Sequence, residues 1–162
     1  MTWAEYVHVV ALAVLLTTSV SAGEFAGYVV DVHDGDGFTL EQADGHFQRV
    51  RLCGIDSPES WCPRYDEAAK TLGKLVLGRS VRCRQVGSGT VCDGRSRPTS
   101  GNRIVAQCFV GSSERDVASV LVEQGLACDW TRFSGGYYSA RGKGRACPVH
   151  HRSTCQAAAM PR

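Results

Sequence analysis

Phe25-Ala26-Gly27-Tyr28-Val29-Val30-Asp31-Val32-His33-Asp34-Gly35-Asp36-Gly37-Phe38-Thr39-Leu40-Glu41-Gln42 is the stretch whose reading decides the fold. Residues 25–32 and 38–42 are rich in valine and aromatics, side chains suited to a pleated, half-buried surface. Between them an Asp/Gly segment supplies turn residues, so the whole reads as a β-hairpin that carries acids at its tip. A further turn at Ala43-Asp44-Gly45 leads into residues 47–55. There Phe47, Arg49 and Arg51 alternate with Val50 and Leu52, as along a strand with one wet face and one buried face. That third strand runs into a second acid segment, Gly54-Ile55-Asp56-Ser57-Pro58-Glu59.

Pro58 lacks a ladder donor and constrains Ser57, so the strand stops there. Beyond it Ala68, Ala69, Leu72, Leu75 and Val76 recur at helical spacing, which predicts a helix over 65–77, with Asp66 as its cap and Gly78 just past its end. Residues 80–85 and 103–110 read as the fourth and fifth strands. The connection between them, residues 86–102, is full of Gly, Ser, Thr, Pro and Arg, and a structureless link of that length is uncommon inside a compact domain unless it serves a function. Val117, Val120 and Leu121 mark a second helix, opened by Asp116 and closed by Gly125. The glycines at 135, 136, 142 and 144 disfavour a third, and residues 134–162 read as an irregular tail containing Cys147 and Cys155.

With 162 residues, 43% hydrophobic and 21% charged, the chain suits one core and excludes wholesale disorder. Residues 1–22 stand apart. Their apolar run from Val7 to Leu16 is too short to span a bilayer, and Val20-Ser21-Ala22 offers the small residues of an export cleavage site. Glu5, and the lack of Lys or Arg before the apolar run, keep open the other reading, an anchor that is not removed. The expected division is therefore 1–22 signal, 23–133 folded domain and 134–162 tail, in a secreted or periplasmic protein with no further membrane association.

All eight cysteines follow the signal, and an even count in an exported chain predicts disulfides. Cys53, inside an apolar strand, is expected to be a buried free thiol. Cys147, His150, His151 and Cys155 have the residue types of a zinc site, although a disulfide with two exposed histidines is the favoured reading. The net charge is +2. Loss of residues 1–22 removes one acid, Glu5, and no base, leaving a mildly basic chain that suits a polyanion without identifying one.

The order Asp34-Gly35-Asp36, Val50-Arg51-Leu52, Gly54-Ile55-Asp56-Ser57-Pro58-Glu59, Arg103-Ile104-Val105-Ala106 and Leu121-Val122-Glu123-Gln124-Gly125-Leu126-Ala127 resembles the staphylococcal nuclease-like, or thermonuclease, family. The resemblance covers roughly residues 27–130. It implies a mainly β, α+β architecture: a five-stranded OB-fold Greek-key barrel with two packed helices. It also implies Ca2+ held by Asp36, Asp56 and the backbone carbonyl of Ser57, with Asp34 in support. Glu59 looks like the general base, and Arg51 and Arg103 look like clamps on a phosphate of DNA or RNA.

Those residue types suit the chemistry. Hydrolysis of a phosphodiester builds negative charge on phosphate oxygens, which a hard cation and forked guanidiniums neutralise while a carboxylate takes the proton of a water. The expectation is thus a monomeric calcium-dependent nuclease of low sequence specificity, with no stable protein partner. Its rivals are a binding module of the same fold that has lost turnover and a disulfide-stabilised structural protein.

Departures from the family pattern lie around the substrate. Gly37 stands where a threonine is common, Gly101-Asn102 where Tyr-Gly precedes the arginine, and the aromatic pair after Ala127 survives only loosely as Trp130 and Phe133. Arg95, in Asp93-Gly94-Arg95, competes with Arg103 for the second clamp; Arg103 is preferred because it directly precedes the fifth strand.

Overall fold

The computed structural model describes residues 23–140 and 144–148. Residues 1–22, read as an export signal, and residues 149–162, with His150, His151 and Cys155 of the candidate zinc set, lie outside the described residues. No helix among the described residues is long and apolar enough to cross a membrane.

Strands β1 (Glu24–Val32), β2 (Gly37–Glu41) and β3 (Phe47–Leu52) form an antiparallel meander. After a two-residue strand β4 (Ile55–Asp56) and helix α1 (Tyr65–Val76) comes β5 (Ser80–Gln85), which pairs with β1. Then follow a short β6 (Thr99–Ser100), β7 (Arg103–Val110) and helix α2 (Val117–Glu123). The chain continues through β8 (Cys128–Asp129) to a helical turn, α3 (Thr131–Ser134). β7 pairs antiparallel with β5 and parallel with β3, and this second pairing closes a five-stranded mixed barrel of OB-fold type.

Alternation along the strands fills the barrel. Phe38, Leu40, Val50 and Leu52 are buried, whereas Thr39, Arg49 and Arg51 face outward or sit at the rim. α1 seals one opening with Ala68, Leu72 and Val76, spaced four apart on one face and fully buried. α2 adds Val117, Ala118, Leu121 and Val122, and Asp116 caps it by accepting the Ala118 N–H at 2.9 Å.

Several expectations need correction. α1 is not capped by Asp66, which lies in its first turn. Its N-cap is Arg64, held in the left-handed region at φ 69° and tied through its guanidinium to Glu67 and to the Gly125 carbonyl. The barrel has three helices rather than two. Gly135, read as disfavouring a helix, is instead the left-handed residue that ends α3. Cys53 is no free thiol, because it is bonded to Cys92. The link over residues 86–102 is also not structureless. Asp93 accepts hydrogen bonds from the N–H groups of Gly87 and Gly89 and the hydroxyl of Thr90, which hold its carboxyl down at about 2. Farther along, β6 pairs with β7.

Besides Cys53–Cys92, the described residues contain Cys83–Cys108, directly opposed across β5 and β7, and Cys128–Cys147. Cys62 is oxidised too. With Cys147 spent on Cys128, a zinc site lacks one of its thiolates. Three disulfides in a domain of this size point to maturation in an extracellular or otherwise oxidising compartment.

The third strand breaks between Leu52 and Ile55, at Cys53-Gly54. Gly54 has φ 73°, and a Cβ there would lie 2.9 Å from Ser134 Cβ, 3.0 Å from Cys92 Sγ and 3.2 Å from the Tyr138 ring. Left-handed strain and overpacking each cost on the order of 1–3 kcal/mol. Gly54→Ala is therefore expected to lower unfolding stability by about 2–4 kcal/mol, measured by denaturant titration of the oxidised protein. A loss below about 0.5 kcal/mol would contradict this account of the turn.

Candidate active site

The hairpin tip between β1 and β2 is wound so that its acids point back at β3. Asp34 Oδ1 accepts the Asp36 N–H at 3.0 Å, an Asp-stabilised turn, and the Asp36 carbonyl accepts the Leu52 N–H at 2.8 Å. Asp36 is buried, and its Oδ2 accepts the Ser57 N–H at 3.0 Å and meets Arg51 Nη1 at 3.1 Å. Arg51 Nη2 meets Asp56 Oδ1 at 3.2 Å, while the same guanidinium donates to the carbonyls of Leu52 and Ile55, each at 2.9 Å. The structure thus gathers Asp34, Asp36, Arg51, Asp56 and Ser57 at one place.

Burial, reinforced by the charges of Asp34 and Asp56, pushes the Asp36 carboxyl up to about 7, against the opposing pull of Arg51 and the Ser57 N–H. Asp36 Oδ1 receives no hydrogen bond among the described residues. A buried carboxylate oxygen without a donor, flanked by two further acids, has the character of a hard-cation ligand. No three His, Cys, Asp or Glu side chains converge closely enough to cage an ion by themselves among the described residues. The donor set that the family resemblance implies, two carboxylates and a backbone carbonyl, does not need a third side chain.

Arg51 also forms the inner wall of a cleft of about 630 Å³. In the parallel β3–β7 pair Arg51 lies opposite Val105, and Arg103, two residues earlier on β7, falls on the same face as Val105. Register therefore turns both arginines to one side, and both line the cleft. Among the described residues Arg103 is held only by long contacts to Ser100, 3.5 Å to its carbonyl and 3.5 Å to its hydroxyl. Trp130 and Phe133 also line the cleft, packed edge to face at 4.6 Å between ring centres.

Glu59 is not brought to this cleft. It is exposed on the loop after β4, its carboxylate has no partner among the described residues, and its carbonyl accepts the Cys62 N–H at 2.8 Å. In contrast, Arg95, which the sequence offered as a rival to Arg103 for the second clamp, lines the cleft together with it, as do Arg97 and Arg132, which sequence reasoning did not assign to the site. The arginine-rich composition of the link after β5 was the available signal for Arg95 and Arg97.

An acid whose pKa is higher folded than unfolded keeps its proton in the folded chain and releases it on unfolding. For Asp36 that stabilisation is complete below about pH 4 and is lost as pH rises through about 7. With chelator present, stability is expected to fall across this window by on the order of 1–3 kcal/mol, and Asp36→Asn is expected to flatten it. Thermal melts at half-unit pH steps read the effect; identical profiles for both proteins would refute it.

No curated protein matches the chain significantly. The family model described as Staphylococcal nuclease homologue matches residues 49–140, from the arginine strand through the wall that carries Trp130 and Phe133 to the segment containing Tyr138. That match spans more than half of the chain and coincides with a barrel of the expected type, and on these grounds the chain belongs to the staphylococcal nuclease homologue family.

Proposed function

We propose that the chain is an exported, calcium-dependent nuclease that hydrolyses phosphodiester bonds of DNA or RNA with little sequence preference. Membership of its family suggests phosphodiester hydrolysis and implies nucleic-acid binding. The observation that carries the finer reading is the common face of Arg51 and Arg103 on the β3–β7 pair. Both side chains line a cleft whose lining holds no carboxylate, Arg51 joining it to the Asp34, Asp36 and Asp56 cluster that already engages its guanidinium.

In this reading Asp36, Asp56 and the Ser57 carbonyl hold Ca2+, with Asp34 in support, and the ion supplies charge neutralisation at the phosphate and at the attacking water. Arg51 and Arg103 bind the phosphate oxygens of the scissile diester and strengthen those bonds as charge grows on them. β-Strand ends hold both side chains, so little reorganisation is needed. Glu59 takes a proton from the water, which requires its loop to bring the carboxylate toward the cleft. Residues 1–22 serve as the export signal and residues 23–133 as the nuclease domain.

One observation favours a second reading. Because Glu59 lies outside the cleft and Arg51 already engages two acids, a domain that binds nucleic acid without cutting it fits the same geometry.

Incubating the oxidised protein with plasmid and with RNA, in calcium and then in chelator, separates the two. Calcium-dependent degradation is expected; a retarded but intact band in both conditions supports the binding module. Glu59→Gln and Arg103→Ala are each expected to lower kcat by about 10²–10³ with unchanged melting temperature. Full activity in both variants would sink the mechanism.

A further inference from the structure

The chain as a whole is nearly balanced, with 18 basic and 16 acidic residues, yet five of its arginines line one cleft that contains no acid: Arg51, Arg95, Arg97, Arg103 and Arg132. Four arginines elsewhere are paired with acids. Arg64 holds Glu67, Arg82 holds Glu114, Arg84 holds Glu24 and Arg115 holds Glu123. Arg95 and Arg97 have no hydrogen-bond or ion-pair partner for their side chains among the described residues. Arg132 stacks on the Phe133 ring at 5.6 Å. Arg51 is already paired with Asp36 and Asp56, whereas Arg95, Arg97, Arg103 and Arg132 have no acid partner among the described residues. Four like charges so gathered repel one another, and an anion entering the cleft relieves that repulsion.

The three additional arginines are also held in place. Cys92 is bonded to Cys53, beside Arg51, and the N–H groups of Arg95 and Ser96 both bond the Cys92 carbonyl, at 3.1 and 2.9 Å. The Pro98 carbonyl accepts the Val105 N–H at 2.9 Å and the Gln85 side chain at 3.0 Å, so the segment is anchored on both sides of Arg95 and Arg97. Arg95 itself lies flat against Gly135, where a Cβ would come within 2.9 Å of its guanidinium carbon; Gly135 has φ 67°. Arg132 sits on α3, which is docked through the Trp130 N–H to the Gly54 carbonyl at 2.9 Å. Much of the ordering that phosphate binding needs is thus built in before substrate arrives.

We propose that Arg95, Arg97 and Arg132 form a second phosphate subsite that binds the backbone phosphates flanking the scissile one in a single-stranded polynucleotide. The Trp130 and Phe133 wall offers ring surface to unstacked bases, which selects a single strand over a duplex. The position of the reacting phosphate rests on the nuclease reading above, but the binding function of the three arginines does not require turnover.

The test is equilibrium binding of a fluorescent single-stranded oligothymidine of about ten nucleotides to the full oxidised chain in chelator, across a salt series. Wild type is compared with Arg95→Gln/Arg97→Gln/Arg132→Gln and with Lys70→Gln/Lys74→Gln/Arg79→Gln, which removes the same charge outside the cleft. Each phosphate neutralised on a single strand contributes about 0.7 to the logarithmic salt slope. The cleft variant is expected to lose about 2 from that slope and about tenfold or more in affinity, with the control near wild type. Arg97→Gln alone should lose about 0.7, so the proposal stays testable if the triple variant is poorly folded.

A wild-type slope in the cleft variant, or equal losses in the cleft and control variants, overturns the subsite. Cleavage in calcium is scored on the same preparations. Cleavage with an unaltered slope removes the subsite and keeps the nuclease; a lost slope in a chain that never cleaves keeps the subsite and removes the nuclease.

Discussion

The structure depends on a sharp turn at Cys53-Gly54, where the third strand stops pairing with β7 and the chain swings toward the acids. Before the turn, β3 carries Arg51; after it, β4 carries Asp56. Into the space left by the missing Gly54 side chain come Cys92, Ser134 and Tyr138, each from a different part of the chain. The Cys53 N–H still bonds the Ala106 carbonyl at 2.9 Å, so the turn begins at the end of the parallel pairing that closes the barrel. One backbone conformation, available at little cost only to glycine, therefore joins the barrel, the arginine loop and the aromatic wall.

Electrostatics follow from that convergence. The hairpin acids and Asp56 are forced together in a buried place, and Arg51 serves them as counter-ion while also facing the cleft. A buried acid cluster and an acid-free arginine cleft thus share one side chain. Segregating charges in this way raises the energy of the empty site, and the disulfide and strand pairing that hold the surrounding segments sustain it. In the proposed nuclease reading this separation lets anionic metal ligands and an anionic substrate approach one another without meeting directly.

Asp129 illustrates how the rest of the fold supports the cleft wall. It is fully buried, accepts the Ser139 N–H at 2.7 Å and bonds the Ser134 hydroxyl, and its strand pairs with β4 beside Asp56. The aromatic residues just after it are consequently fixed relative to the acids. Asp116 plays a similar part beneath Tyr138: it accepts from Tyr138, Gln107 and Ala118, and burial keeps its pKa raised despite those donors.

Much of this was legible in the chain. Alternation in 47–52 and four-residue spacing in 68–76 are consequences of strand and helix geometry, so Val50, Leu52, Leu72 and Val76 disclosed their burial directly. Asp34, Asp36, Arg51 and Asp56 were legible as a set because each sits at the end of a local element or in a tight turn. What local pattern does not encode is which distant segments meet. The Cys53–Cys92 bond spans 39 residues, the short α3 ends at a glycine that argued against it, and Glu59 is not among the residues that line the arginine cleft. Barrel closure brings Arg95, Arg97 and Arg132 to the cleft, since the parallel β3–β7 register and the packing at Gly54 are relations between segments far apart in sequence. The amino-acid sequence by itself determined the elements and the residue types of the site; only the tertiary structure decided which charges share a cleft, because that depends on distances no local spacing contains.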